Sequence, residues 1–356
     1  MIYIKRVVQN DRGILTEYAV EMIRNMTMST DMADLLFSDG SLDLHFAIVN
    51  VFTDNVYRDN TSLKLNCVQI FFNVSNTNQN KLTTIPVLEK LTHLIREDNS
   101  LELKRRSLEL LCNLLDHDEN CILFSDLSID CVSPLIGIIS EINGRMEFMN
   151  LALKIVEHLS KIEDSRISIT HPTLCLLQLM STLIERDDVE HRRVALRIVE
   201  NLYSAEEILS VIECAPLCLL RALVGVILND PSNCRKPLVI LANLSFTKLN
   251  RNVMMSSSFG LISELVRVLN DQKYTLRDKM DALVIISNFC RDDNNIAILS
   301  SSEYGIIKSL DQITRTISQD RRRGSQTNPQ MLIISRIRAK LNITESEQRD
   351  EAKNMM

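Results

Sequence analysis

The chain has 356 residues, 45% of them hydrophobic and 24% charged, with a formal net charge of −6. That acidic balance argues against wholesale binding to nucleic-acid phosphates, which needs a broad positive footprint. With 8 Gly, 7 Pro, no Trp and 4% aromatics, the composition speaks against a β-sandwich and a glycine-loop enzyme, and favours a mostly helical protein.

In chain order, the opening "MIYIKRVVQ" has Ile2, Ile4, Val7 and Val8 but no long apolar core, so no signal peptide is expected. The first predicted helix carries "AVEMIRNM" (19–26), a small residue, an apolar one, a spacer, two apolar residues, a spacer, Asn and a last apolar residue. The pattern returns as "CVQIFFNV" (67–74), "SLELLCNL" (107–114), "ALKIVEHL" (152–159), "ALRIVENL" (195–202), "PLVILANL" (237–244) and "ALVIISNF" (282–289). The polar anchors are Asn25, Asn73, Asn113, His158, Asn201, Asn243 and Asn288, spaced 40 to 48 residues apart. A weaker eighth copy, "MLIISRIRAKL" (331–341), has Arg336 in the anchor place.

The intervals repeat too. A polar break such as "LDHDEN", "SFTKLNRN" or "CRDDNN" follows the anchor helix. A short helix comes next, then often Gly or Pro, then a longer amphipathic helix such as "GLISELVRVLN" (260–270). Three helices per unit of about 43 residues lie within the period of armadillo or HEAT solenoids. The run "LCLLRALVGVIL" (217–228) is too short to span a bilayer and carries Arg221. Near the end, "SQDRRRGSQTNPQ" (318–330) predicts a loop inserted in the last unit, and 345–356 a flexible polar tail.

The anchor-helix consensus, with Gly260 and Gly305 ahead of two second helices, resembles the armadillo-repeat family over residues 13 to 342. The resemblance implies an all-α, right-handed solenoid of seven to eight three-helix repeats, a single domain over 1–344, whose third helices line a concave groove. Single repeats cannot bury their faces alone, so the stack is the stable unit. The thin opening is expected either to belong to a longer chain or to dock its exposed end on a partner.

In peptide-binding members of the family this amide holds the backbone of an extended ligand, which makes Asn25, Asn73, Asn113, Asn201, Asn243 and Asn288 candidates here. The alternative is that each amide ties a helix to its neighbour. Positions four and eight before an anchor share its helical face. Nuclear-import adaptors carry Trp at minus four; this chain has none, which argues against a localisation-signal receptor. Instead Arg105, Lys154, Arg193, Arg197 and Arg235 form a basic strip on those faces. The strip fits an acidic or mixed-charge protein segment, extended or helical, unless the local carboxylates Glu102, Asp188, Glu190 or Asp230 neutralise it.

Nothing in the sequence points to catalysis or a cofactor. The nine cysteines form no C-x-x-C and mostly sit in apolar runs, as small buried hydrophobes of a reducing compartment. The six histidines have no metal-ligand spacing, and Asp116-His117-Asp118-Glu119 falls on a polar break, as a solvated turn would. Arg322-Arg323-Gly324-Ser325 fits a basophilic kinase site at Ser325.

Three segments, 19–37, 103–124 and 265–289, resemble the armadillo region of AT-rich-interaction-domain subunits of SWI/SNF-type chromatin remodellers. That resemblance implies a non-catalytic, nuclear scaffold holding an extended segment of the ATPase subunit. The chain departs from the family in having no DNA-binding module and no zinc finger. The competing reading is a cytoplasmic or junctional armadillo adaptor. Neither reading gives the chain a membrane or direct nucleic-acid role.

Overall fold

The computed structural model describes residues 6–8, 13–37, 42–76, 85–97, 100–125, 129–141, 144–204, 216–256, 260–301, 303–321 and 331–341. Among these residues there is no strand, and no single helix is long and apolar enough to cross a membrane. The chain divides into two compact units, Met1–Leu176 and Leu177–Met356, so the array expected over 1–344 is described as two stacks.

The first unit holds α1 (Ile14–Met26), α2 (Thr30–Phe37), α3 (Leu42–Thr53), α4 (Thr61–Ser75), α5 (Ile85–Glu97), α6 (Leu101–Leu114), α7 (Asp118–Ser125), α8 (Ile129–Ser140), α9 (Met146–Lys161) and α10 (Glu163–Ile169). The second holds α11 (Leu176–Glu185, beginning at the boundary), α12 (Val189–Tyr203), α13 (Leu217–Asn229), α14 (Arg235–Leu244), α15 (Lys248–Met254), α16 (Leu261–Asn270), α17 (Leu276–Phe289), α18 (Asp293–Ser300) and α19 (Ile306–Arg321). A last helix, α20, covers 331–341. The repeated pattern falls on α1, α4, α6, α9, α12, α14 and α17, and its weak eighth copy on α20. In two intervals the segment expected to hold the short helix, 77–84 and 205–215, lies outside the described residues.

The anchor helices start where local chemistry dictates. Asn60, Ser100 and Asp188 each accept the backbone N–H three residues on, at 2.9, 3.3 and 3.0 Å. Thr275 and Asp278 form a reciprocal capping box at the start of α17. Within α12, Ala195, Leu196, Ile198, Val199 and Leu202 are all buried, the i, i+1, i+3, i+4, i+7 set that a 3.6-residue period places on one stripe. The small position of the pattern is buried in every copy from Ala19 to Ala282, where a larger side chain would force helices apart.

The second helices α16 and α19 follow Gly260 and Gly305, both with φ +61°, a conformation glycine adopts without a Cβ penalty. Cys175 holds the same place before α11 with φ +49°. It is the positive-φ non-glycine residue of the described chain.

One boundary differs from expectation. Residues 318–321, predicted as the start of a loop, are helical, as α19 continues through Arg321. Ser318-Gln319-Asp320-Arg321 contains no Gly or Pro, and the first breaker is Gly324. Residues 322–330, with Ser325, and the tail 345–356 lie outside the described residues.

Candidate functional site

The anchor side chains divide by what they touch. Asn73 Nδ2 donates to Thr27 Oγ1 at 3.1 Å, and that hydroxyl donates to Arg24 O at 2.8 Å. Asn113 Nδ2 donates to Asn76 Oδ1 at 3.3 Å, and Asn76 Nδ2 donates to Phe72 O at 2.9 Å. Asn288 Nδ2 donates to Ser245 Oγ at 2.8 Å, and Ser245 Oγ donates to Ala242 O at 2.6 Å. Each is a relay across one joint: the anchor amide meets a side chain two or three residues past the previous anchor, which in turn satisfies a carbonyl of that earlier helix's last turn.

His158 joins the same scheme, its Nε2 3.1 Å from Asp116 Oδ1. Burial holds its pKa below the usual histidine value against the opposing pull of Asp116. Near neutral pH the ring is therefore neutral and serves as a single donor, as an amide N–H would.

The other amides differ. Asn25 is exposed and accepts from Arg24 Nη2 at 2.6 Å. Asn201 is half-buried on α12. Asn243, also half-buried, has no side-chain hydrogen bond among the described residues, and Ser204, three residues past the previous anchor, donates instead to Asn201 O at 2.9 Å. The joint between α12 and α14 thus lacks the relay, leaving the Asn243 donor and acceptor uncommitted.

A second set of asparagines, seven residues after an anchor, was not singled out by the sequence reading. Asn120, Asn250 and Asn295 are buried in the short helices α7, α15 and α18. Asn120 Nδ2 donates to Leu114 O at 2.7 Å, capping the end of α6 from the following element. Arg251 does related work at the end of α14, donating to Ser245 O and Phe246 O at 3.2 and 2.8 Å. It also pairs with Asp292 at the start of α18, which holds that carboxyl below the usual range. The signal was present as Asn endings in "LDHDEN" and "CRDDNN", but it reads as turn chemistry without the joint in view.

The basic strip falls apart in the first unit and holds together in the second. Arg105 is engaged by Glu102 and Glu109, both at 2.7 Å, and lies 3.7 Å from Glu147 of α9. Its charge is neutralised locally. Lys154 is exposed beside Cys112, whose thiol burial pushes up and Lys154 draws down.

In the second unit Arg193, Arg197 and Arg235 converge on one cleft of about 200 Å³ between α12 and the start of α14. Arg192, Lys236, Ser232, Asn233, Leu196 and Val189 complete its described lining, which contains no carboxylate. Arg192 is committed to structure, donating to Ile184 O and Arg186 O at 3.0 and 2.7 Å. Lys236 pairs with Glu200. Arg193 meets Glu190 at 3.0 Å with both side chains largely exposed, a pair water screens strongly. Arg235 is exposed and has no ion pair among the described residues.

The cleft wall is a 3₁₀ turn, Pro231–Asn233, which the sequence reading did not resolve. Asp230 fixes it by accepting from Ser232 Oγ at 2.6 Å and Asn233 Nδ2 at 2.8 Å, contacts that hold its carboxyl below the ordinary range. On α14 the face runs Arg235, Val239, Asn243, and on α12 it runs Arg193, Arg197, Asn201. Cations therefore lie at one end of each face and an amide at the other.

Among the described residues no group of three or more His, Cys, Asp or Glu could hold a metal ion. Six described cysteines are buried, and burial pushes the Cys67, Cys121, Cys234 and Cys290 thiols up to about 12. They stay protonated and unreactive at neutral pH. Cys175 and Cys218 are exposed.

No protein-family model and no curated protein matches the chain. Solved structures do. A structure titled for a phosphorylation switch in the interaction between cadherin and β-catenin aligns over 95% of this chain and 60% of its own, with TM-score 0.64 and 15% identity. A designed armadillo-repeat protein in complex with the peptide (KR)4 aligns over 71% of this chain and 99% of its own, with TM-score 0.53 and 16% identity. An engineered protein aligns over 96% and 89%, with TM-score 0.60 and 14% identity. Likeness at such identity establishes the fold, which is the all-α armadillo-type solenoid.

Proposed function

We propose that this chain is a non-catalytic interaction scaffold that grips an extended or helical segment of a partner protein on its anchor-helix faces, with α12 and α14 as the principal contact. The carrying observation is the convergence of Arg193, Arg197 and Arg235 on a cleft whose described lining has no carboxylate. The uncommitted Asn243 amide stands on the same α14 face. An amide offers donor and acceptor together, which suits a peptide group whatever its side chain. The cations suit carboxylates carried on the same segment, because guanidinium groups bind them in bidentate geometry.

The specific form of the proposal is a core subunit of a SWI/SNF-type chromatin remodeller, working in the nucleus and holding a segment of the ATPase subunit. Its support is the similarity of residues 19–37, 103–124 and 265–289 to that family's armadillo region. A cytoplasmic or junctional adaptor is the second reading, favoured by the likeness to the cadherin and β-catenin structure.

Affinity capture with the full chain, read by mass spectrometry, separates the two. Recovery of a remodelling ATPase supports the first, and recovery of junctional proteins without it supports the second. The captured segment is then titrated against the triple variant Arg193→Ala, Arg197→Ala, Arg235→Ala and against Asn243→Ala. Weakening of about tenfold or more in the triple variant is expected, with a steep salt dependence in the unaltered chain. Equal affinity for all variants would remove this face from the function.

A further inference from the structure

A second cleft lies in the first unit, away from the anchor residues. It measures about 620 Å³ and is lined by Thr53, Asn55, Arg58, Pro86, Glu89, Lys90 and His93. These residues come from the end of α3, the turn that follows it, and α5. Lys64 of α4, itself buried, lies near enough for its charge to act on Lys90.

The electrostatics of this cleft are unbalanced. The side chains of Arg58 and Lys90 have no ion pair or hydrogen bond among the described residues. Burial, then the charges of Lys64 and Arg58, hold the Lys90 ammonium below the ordinary lysine pKa, with Asp54 pulling the other way. Asp54 is already occupied, its Oδ1 accepting from Val56 N at 3.0 Å. Glu89 is exposed on the wall and makes no ion pair with either cation among the described residues.

Like charges brought together at a partly desolvated site raise each other's energy unless an opposite charge lies between them. Folding has placed two cations, Arg58 and Lys90, on the wall of an open volume here. The volume falls in the range of small-ligand sites, and Thr53 and Asn55 add neutral hydrogen-bonding groups to the same wall.

We propose that this cleft binds a small polyphosphorylated anion, with Arg58 and Lys90 as the groups that hold its phosphates and His93 and Asn55 beside them. The site is separate from the proposed partner face and does not depend on it. Two phosphates, rather than a single carboxylate, match the two cations on the wall and the size of the cleft.

Pyrophosphate and inositol hexakisphosphate, titrated into the full chain by calorimetry at low and moderate salt, are the probes. Sulfate serves as the single-anion comparison. Binding of either polyphosphate, weakening as salt rises, is expected. Arg58→Ala combined with Lys90→Ala should reduce it by about tenfold or more, since charge-assisted contacts are lost on both sides. Lys90→Arg should retain it, and so should Arg193→Ala with Arg235→Ala in the second unit. If the double variant does not fold, acetylation footprinting of the unaltered chain decides the matter, with protection of Lys90 by the probe expected. No binding at millimolar probe, equal affinity in the double variant, sulfate binding as tightly as the polyphosphates, or unprotected Lys90 would each overturn the site.

Discussion

Replacing Asn288 and Asn243 separately by alanine isolates what the inter-repeat relay contributes. Both residues lie near the ends of anchor helices, so both changes gain a similar helix-propensity increment of about 0.6 kcal/mol, which cancels in the comparison. Asn288 is 4% exposed and donates to Ser245 Oγ at 2.8 Å, whereas Asn243 has no side-chain hydrogen bond among the described residues. Removing Asn288 loses one net hydrogen bond, worth about 1 kcal/mol, and leaves a small hole on the buried side. Asn288→Ala should therefore be less stable than Asn243→Ala by about 1 to 2 kcal/mol. Urea unfolding gives the global value, and hydrogen exchange at α14 and α17 gives the local one without assuming that a repeat array unfolds in a single step. Ser245→Ala completes a double-mutant cycle in which coupling of about 1 kcal/mol to Asn288 is expected. Equal losses in the two single variants, or zero coupling to Ser245, would refute the relay as a source of stability.

Other consequences are open to the same methods. Cys175→Gly should stabilise the chain by about 1 kcal/mol, because φ +49° penalises a Cβ that glycine lacks; a lower melting temperature would contradict this. Arg251→Ala should destabilise by about 3 kcal/mol, since it strands the Asp292 carboxylate and two carbonyls behind a side chain that is 7% exposed; a loss below about 1 kcal/mol would show water replacing it. His45 is buried with neither ring nitrogen hydrogen-bonded, and burial lowers its pKa. A depressed histidine pKa means the unfolded chain takes up the proton first, so its contribution is full above about pH 6.5 and falls below it, by up to about 1.4 kcal/mol per pH unit. His45→Leu should flatten that part of the acid limb, and an unchanged pH profile would assign the sensitivity elsewhere.

Much of the fold was legible because burial imposes its period on the sequence. The residues of α12 that recur as Ala195, Leu196, Ile198, Val199 and Leu202 are apolar for one reason, and that reason repeats in each anchor helix. The glycine before the second helix was readable for the same cause, but its replacement by Cys175 was not, because a strained φ leaves no mark in composition. The ladder of amides was visible as a spacing, yet its chemistry depends on a second residue in the preceding repeat. Thr27, Asn76, Asp116 and Ser245 are four different side chains that supply one acceptor each, so no single letter recurs to announce them. The basic strip was visible too. That Arg105 is ion-paired while Arg235 is not follows from Glu102 and Glu109 lying one helical turn from Arg105, whereas the cleft at Arg235 required the turn Pro231–Asn233 to be placed beside α12. The end of α19 was misread because a charged, serine-bearing run resembles a loop until a true breaker, Gly324, is counted.

The relay has a bearing on how such a chain can grow. Donor and acceptor stand roughly one repeat length apart in the sequence, as Asn288 and Ser245 do. Copying a whole period therefore copies both halves of the joint, and the new seam is fastened as soon as it is made. Excising a period rejoins the same two halves from different parents. Length can thus drift by whole rungs with little chemical repair, while a change of a few residues would separate the partners and leave an amide and a hydroxyl without each other.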